Sequence, residues 1–208
     1  MVDVLHKTAP AHGGPGGLGQ PGGGEGPSGD RPFADPDRFG LWAFLGTVSM
    51  LFIGFTSAYI LRRGSADWQP LSPPPILWLN TAALFLSSAA LETARRRLRS
   101  WDLPGARGWL GATGLLGALF VAGQVTAWRT LAAQGIFLAS NTHSSFFYLL
   151  TGVHLAHLAG GLAWFAAVQL RMRRLALTPG ENGLGLFATY WHFLGALWAY
   201  LLFLLFVL

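Results

Sequence analysis

Five apolar runs divide the chain, near residues 39–61, 76–92, 108–128, 144–170 and 184–208. Each is close to the ~20 residues that carry a helix across ~30 Å of hydrocarbon. A backbone in that medium has no water to bond to, so such a run closes its own hydrogen bonds as a helix. Composition agrees: 52% of residues are hydrophobic and only 11% are charged, too little polar surface for a soluble domain. The expected fold class is all-α, a polytopic membrane protein with five transmembrane helices in a bundle.

The breaks between the runs carry the orientation. The net charge is +5, but the arginines cluster at the ends of apolar runs, where they anchor helices, and a nucleic-acid partner is rejected on that ground. Counting the first tail, the second break and the fourth break as one side gives Lys7, Arg31, Arg38, Arg95, Arg96, Arg97, Arg99, Arg107, Arg171, Arg173 and Arg174. The other side holds Arg62, Arg63 and Arg129. Positive charge stays inside, so the N-terminus is expected in the cytoplasm and the C-terminus outside. Residues 1–38, rich in Gly and Pro, are expected to form a disordered tail, because they cannot bury enough apolar surface to offset their chain entropy. Residues 39–208 form the transmembrane domain. No apolar signal-peptide core is visible in the tail. The break after the first run holds Trp68, Pro70, Pro73, Pro74 and Pro75, and reads as stiff and non-helical. Residues 93–107 read as a basic loop, 130–143 as a loop or short interfacial helix, and 178–183 as a turn. Trp68 and Trp78 read as an interface belt.

The run from Ser144, SSFFYLLTGVHLAHLAGG, holds His154 and His157. Three residues apart on a helix, their side chains leave within about 60° of each other. Gly152, Ala156 and Gly160 recur every fourth residue and would let another helix approach closely. Together with His192 these are the imidazoles firmly inside the runs. A haem or mononuclear metal could use them, yet the runs offer no buried carboxylate, Glu92 standing at the end of the second run, and the chain has no cysteine. The alternative is neutral histidines bonded to neighbouring helices. Transporters display acidic or basic groups along a path in the membrane, and none stands mid-run here. The reading favoured is a structural or lipid-binding bundle that accompanies an active partner. Other polar groups within the runs are Asn80, Thr81, Ser87, Ser88, Gln124 and Thr126. Gly111, Gly114 and Gly117 are expected to serve helix packing.

Four motifs together resemble subunit III of the haem–copper oxidases. The run just quoted resembles the family pattern S-x-F-F-x-x-T-G-x-H-x-x-H-x-x-x-G through Ser144 or Ser145, Phe146, Phe147, Thr151, Gly152, His154, His157 and Gly161 or Gly160. TYWHFLGALW is similar to the family's last helix through Tyr190, Trp191, His192, Phe193 and Trp198. Met50, Leu51, Phe52, Gly54, Ala58 and Tyr59 match the helix M-L-F-x-G-x-x-x-A-Y, and Asn80, Thr81, Ser87 and Ser88 match the next one.

The resemblance implies the short five-helix bacterial form of cytochrome c oxidase subunit III in the inner (plasma) membrane. It implies an accessory chain with no redox centre of its own. Haem and copper are then expected in partner subunits I and II, with phospholipid as a further ligand and a larger respiratory assembly as a further partner. Three acids usual in the family are replaced by Val48, Gly185 and Gly195, so no acid-dependent proton role is implied. His154, His157, Tyr190, Trp191 and His192 are expected in one buried polar cluster that fixes helix register, with no catalytic, cofactor-binding or metal role. The alternatives are a subunit III-like component of a quinol oxidase or nitric oxide reductase, or a free-standing haem-binding or carrier bundle.

Overall fold

A computed structural model describes residues 36–66, 68, 73–173 and 183–207. Residues 1–35 of the expected 1–38 tail and most of the expected 178–183 turn lie outside the described residues; the last three residues of that tail, Pro36, Asp37 and Arg38, instead form the first turn of a helix. Five helices follow in order: α1 Pro36–Arg62, α2 Ile76–Arg99, α3 Leu103–Ala133, α4 Thr142–Arg173 and α5 Gly183–Phe206. All five are long and apolar enough to cross a membrane. The chain is an all-α polytopic bundle.

Four helices close a ring. α2 packs on α3, α3 on α4, α4 on α5, and α5 back on α2. The diagonal pair α3 and α5 meets through large side chains, such as Phe120 edge-on to Trp198 at a centroid distance of 4.8 Å. α1 stands outside the ring, and among the described helices it packs on α4 and α5 alone. Two hydroxyl contacts fasten it to α5: Thr56 Oγ1 to Tyr200 Oη at 2.9 Å, and Tyr59 Oη donating to the Leu205 carbonyl at 3.5 Å.

The helices run further than the apolar runs. The basic stretch 93–107, expected as a loop, is mostly helix. α2 continues to Arg99 because Ala94 and Leu98 remain on its buried face. Glu92 also pairs along the helix with Arg95 at 2.9 Å and Arg96 at 3.8 Å. Asp102 then caps α3, its side chain accepting from the Gly105 N–H at 3.0 Å, with Pro104 in the first turn, where proline needs no donor. The Asp102 N–H returns to the Arg97 carbonyl at 3.0 Å, and Trp101 takes the left-handed position of that helix end at φ 60°. The end of α3 repeats the motif with glycine: Ile136 N–H reaches the Leu131 carbonyl at 3.0 Å and Gly135 sits at φ 76°. The expected 130–143 loop is thus shorter, bounded by α3 to Ala133 and α4 from Thr142. Asn141 and Ser144 close α4 reciprocally: Asn141 Oδ1 accepts from Ser144 N–H at 2.8 Å, and Asn141 N–H donates to Ser144 Oγ at 3.2 Å.

Candidate functional site

The five residues expected to gather between α4 and α5 do not form one cluster. His157 and Tyr190 are brought together. Tyr190 Oη donates to the His157 carbonyl at 2.7 Å, and the His157 ring nitrogen Nδ1 lies 2.7 Å from the Val153 carbonyl. α1 covers this pair: Phe52 lies 6.0 Å from the His157 ring and Phe44 lies 6.0 Å from the Tyr190 ring, centroid to centroid. Trp191 turns to α2. Its indole N–H donates to Ser87 Oγ at 3.1 Å, and Ser87 Oγ donates to the Thr113 carbonyl at 3.0 Å, so the relay ties α5, α2 and α3. His154 is fully buried inside the ring of four, against Phe120 at 5.9 Å and Trp198 at 5.2 Å. His192 is exposed, with Glu92 and Arg95 as its charged neighbours.

The small residues divide in the same way. A Cβ on Gly161 would stand 2.9 Å from Tyr190 and 3.3 Å from Trp191, so this glycine lets α4 and α5 approach. A Cβ on Gly152 or Gly160 would meet nothing within 4 Å, and Ala156 is exposed. No described helix of this chain seats on that stripe. On α3, Gly114 receives Phe165 and Gly117 receives Trp191, while the space at Gly111 is open. The neighbouring turn of Gly161, rather than the four-residue stripe, carries the internal packing. The signal that finds it is the aromatic pair Tyr190–Trp191, which needs a facing residue without a side chain.

Of the interface tryptophans, Trp78 is exposed, but Trp68 stacks on His143 at 4.8 Å and 18° and meets Tyr59 edge-on at 5.1 Å. Where the family usually carries acids, Val48 is buried, Gly195 faces Ser88, and Gly185 faces the guanidinium of Arg95 at 3.9 Å from a Cβ position. Arg95 pairs with Glu92 instead. Among the described residues no three His, Cys, Asp or Glu side chains are grouped as a metal ion would require. At the α2–α3 turn the Asp102 carboxyl is held below the usual carboxylate range, first by the Gly105 N–H and then by Arg97 at 2.8 Å.

This arrangement holds helices in register and presents apolar faces outward. α1 alone exposes Phe39, Trp42, Phe44, Met50, Leu51, Ile53, Ile60 and Leu61. Residues 37–208 match the family described as cytochrome c oxidase subunit III. The chain belongs to the cytochrome c oxidase subunit III family. It is similar to cytochrome c oxidase subunit 3 of Thermostichus vulcanus, 33% identical over 191 residues, covering 86% of this chain and 92% of the relative. The Synechocystis protein of the same name is 31% identical over 181 residues, covering 84% and 76%. That of Corynebacterium diphtheriae is 30% identical over 168 residues, covering 76% and 82%. As a subunit III with five spans and bacterial relatives, the chain is a multi-pass protein of the bacterial plasma membrane.

Proposed function

We propose that this subunit III is the accessory chain of a bacterial haem–copper terminal oxidase, packing on the catalytic subunit I beside subunit II and binding phospholipid. Oxygen reduction and electron transfer belong to the partner subunits, which carry the haem and copper. The observation that carries the reading is the family match across 37–208, the whole of the helical bundle. Its physical support is the division between faces. Inside, aromatic and hydroxyl groups lock five helices, whereas the outer faces of α1 and of the Gly152, Ala156 and Gly160 stripe are left for a contact outside this chain.

The phospholipid reading draws on the arginine-rich end of the bundle. A cleft of about 370 Å³ opens there between α1, α2 and α5, with Arg38 and Arg95 beside Leu41, Trp42 and Leu186. Cations next to an apolar wall and a tryptophan suit a phosphate headgroup with its first acyl carbons. With that end facing the cytoplasm, the charge bias and the lipid site agree in orientation. The buried contacts of His157, Tyr190 and Trp191 fix register and take no part in redox chemistry.

The deciding experiment purifies the native complex in mild detergent through a tag on this chain and records its reduced-minus-oxidised spectrum. Haem bands of a terminal oxidase in the complex, absent from the chain alone, are expected. Bands retained by the isolated chain, or no bands in the complex, would overturn the reading. The large subunit that co-purifies distinguishes a cytochrome c oxidase from a quinol oxidase or nitric oxide reductase. His157→Leu should loosen this chain from the complex without lowering the haem content of subunit I. Haem lost while the chain stays bound would contradict a register role.

A further inference from the structure

The centre of the ring of four contains polar atoms that the subunit role does not use. Asn80 of α2, Gln124 of α3 and His154 of α4 are all at least 98% buried. Asn80 Nδ2, both terminal atoms of Gln124, and both ring nitrogens of His154 have no hydrogen-bond partner among the described residues.

Helix register puts these groups in one layer. Along the antiparallel α3–α4 pair, Gly114 meets Phe165, Gly117 meets Leu162, and Trp128 donates to Thr151 at 3.1 Å. Between the last two contacts the same register places Gln124 opposite the turn of His154. Phe120, one turn from Gln124, already touches the His154 ring. Asn80 packs against the backbone of Gly123, the residue before Gln124. The following residue of α2, Thr81, accepts the indole N–H of Trp198 at 3.1 Å, and Trp198 is the α5 neighbour of His154. All four helices therefore converge on the same level.

Five buried polar atoms cannot be left unpaired cheaply, because each would forfeit its bonds to water without replacement. A direct Gln124–His154 pair would satisfy at most one atom of each. A neutral imidazole offers one donor and one acceptor, and a carboxamide offers both kinds. The ligand that fits such a mixed set, in a site closed by Phe120 and Trp198, is small, uncharged and both donor and acceptor. We propose that the Asn80–Gln124–His154 junction is a binding site for ordered internal water, which bridges α2, α3 and α4 where no direct side-chain bond does. Buried waters occur once per ~27 residues and commonly make ~3 such bonds, so a site of this kind suits a bundle of this size. The water is a pin of helix register: Asn80 and His154, on opposite corners of the ring, communicate through it.

The test is a high-resolution electron cryomicroscopy map of the intact oxidase complex carrying this chain. The expected result is compact density at the junction within hydrogen-bond reach of Asn80, Gln124 and His154, as one peak or as two peaks in contact. A Gln124 amide rotated directly onto the His154 ring with no separate peak would overturn the proposal, and so would an elongated peak of an acyl chain. Coupling gives an independent reading. Gln124→Leu should shorten the lifetime of this chain in the detergent-solubilised complex about tenfold, by stranding its partners. Adding His154→Phe to it should cost little more, since the shared water is already lost. Two fully multiplying losses would count against a shared ligand.

Discussion

Substituting alanine at two adjacent glycines of α4 separates internal packing from an outward face. At Gly161 the new methyl would lie 2.9 Å from Tyr190 Cε1, against 3.4 Å for an ordinary contact, so the ring must retreat about half an ångström. It has little freedom to do so. Tyr190 Oη is tied to the His157 carbonyl at 2.7 Å, and its ring lies between Phe44 at 6.0 Å and Trp164 at 5.9 Å. Overpacking of this kind costs ~1–3 kcal/mol. Alanine recovers up to ~1 kcal/mol through its better helix propensity, which from the middle of that range leaves a net loss of about 1–2 kcal/mol. For a chain of this length that corresponds to a fall of roughly 2–8 °C in Tm, at ~2–4 °C per kcal/mol. At Gly160 a methyl meets nothing within 4 Å, so Gly160→Ala should keep or slightly raise the Tm of the chain. The assay is thermal unfolding of the two purified variants beside the wild type, with retention in the tagged oxidase complex as a second readout. If Gly161→Ala melts with the wild type while Gly160→Ala of the isolated chain loses several degrees, the assignment of the α4–α5 contact is wrong. A Gly160→Ala loss seen only in the complex would instead locate a partner on the stripe.

Ser87→Ala should strand the Trp191 indole N–H inside the bundle and cost about 1–3 kcal/mol, measured as a lower Tm, whereas Ser87→Thr should cost less. Trp101→Gly should raise Tm, since a left-handed tryptophan costs ~1–2 kcal/mol relative to glycine at the same helix end; an unchanged Tm would mean that its side chain compensates. Asp102 has a folded pKa below its unfolded value. Its stabilisation is therefore fully present above the unfolded value and disappears as pH falls through the folded one. The Tm difference between wild type and Asp102→Asn should accordingly narrow on acidification, and a difference that widens would reverse the sign of the argument.

What could be read in the sequence follows from how local each signal is. The five helices were legible because each needs only its own run of apolar residues. Their ends were not, because the arginine stretch of α2 looks like a loop by charge alone. Its burial of Ala94 and Leu98 shows only when α3 is laid beside it. The Asp102 cap was readable in principle, as an acid two residues before a proline. His154 and His157 share a helix and a narrow angle, yet they separate because α1 covers one while α3 and α5 enclose the other. Trp191 and His192 are sequence neighbours that leave α5 in different directions, one to Ser87 and one outward. Such outcomes depend on the mutual register of helices distant in sequence, which no single run contains. Asn80 and Gln124 stand out as polar in apolar runs, but only the closed ring puts them in one layer with His154.

The position of α1 has a bearing on how the protein is made. Among the five described helices, α1 is made before the other four, yet its described helix partners are α4 and α5, which follow α2 and α3 in the chain. The α2–α3 hairpin can close as soon as α3 enters the bilayer, whereas α1 must wait, its Thr56 and Tyr59 hydroxyls without their α5 partners. Biogenesis of this chain is thus not a progressive stacking of helices in order of birth. It is a wait followed by closure, with α5 as the keystone that seats α2, α4 and α1 together. A chain stalled before α5 would leave α1 without Tyr200 and the Leu205 carbonyl, the α5 partners of its Thr56 and Tyr59 hydroxyls.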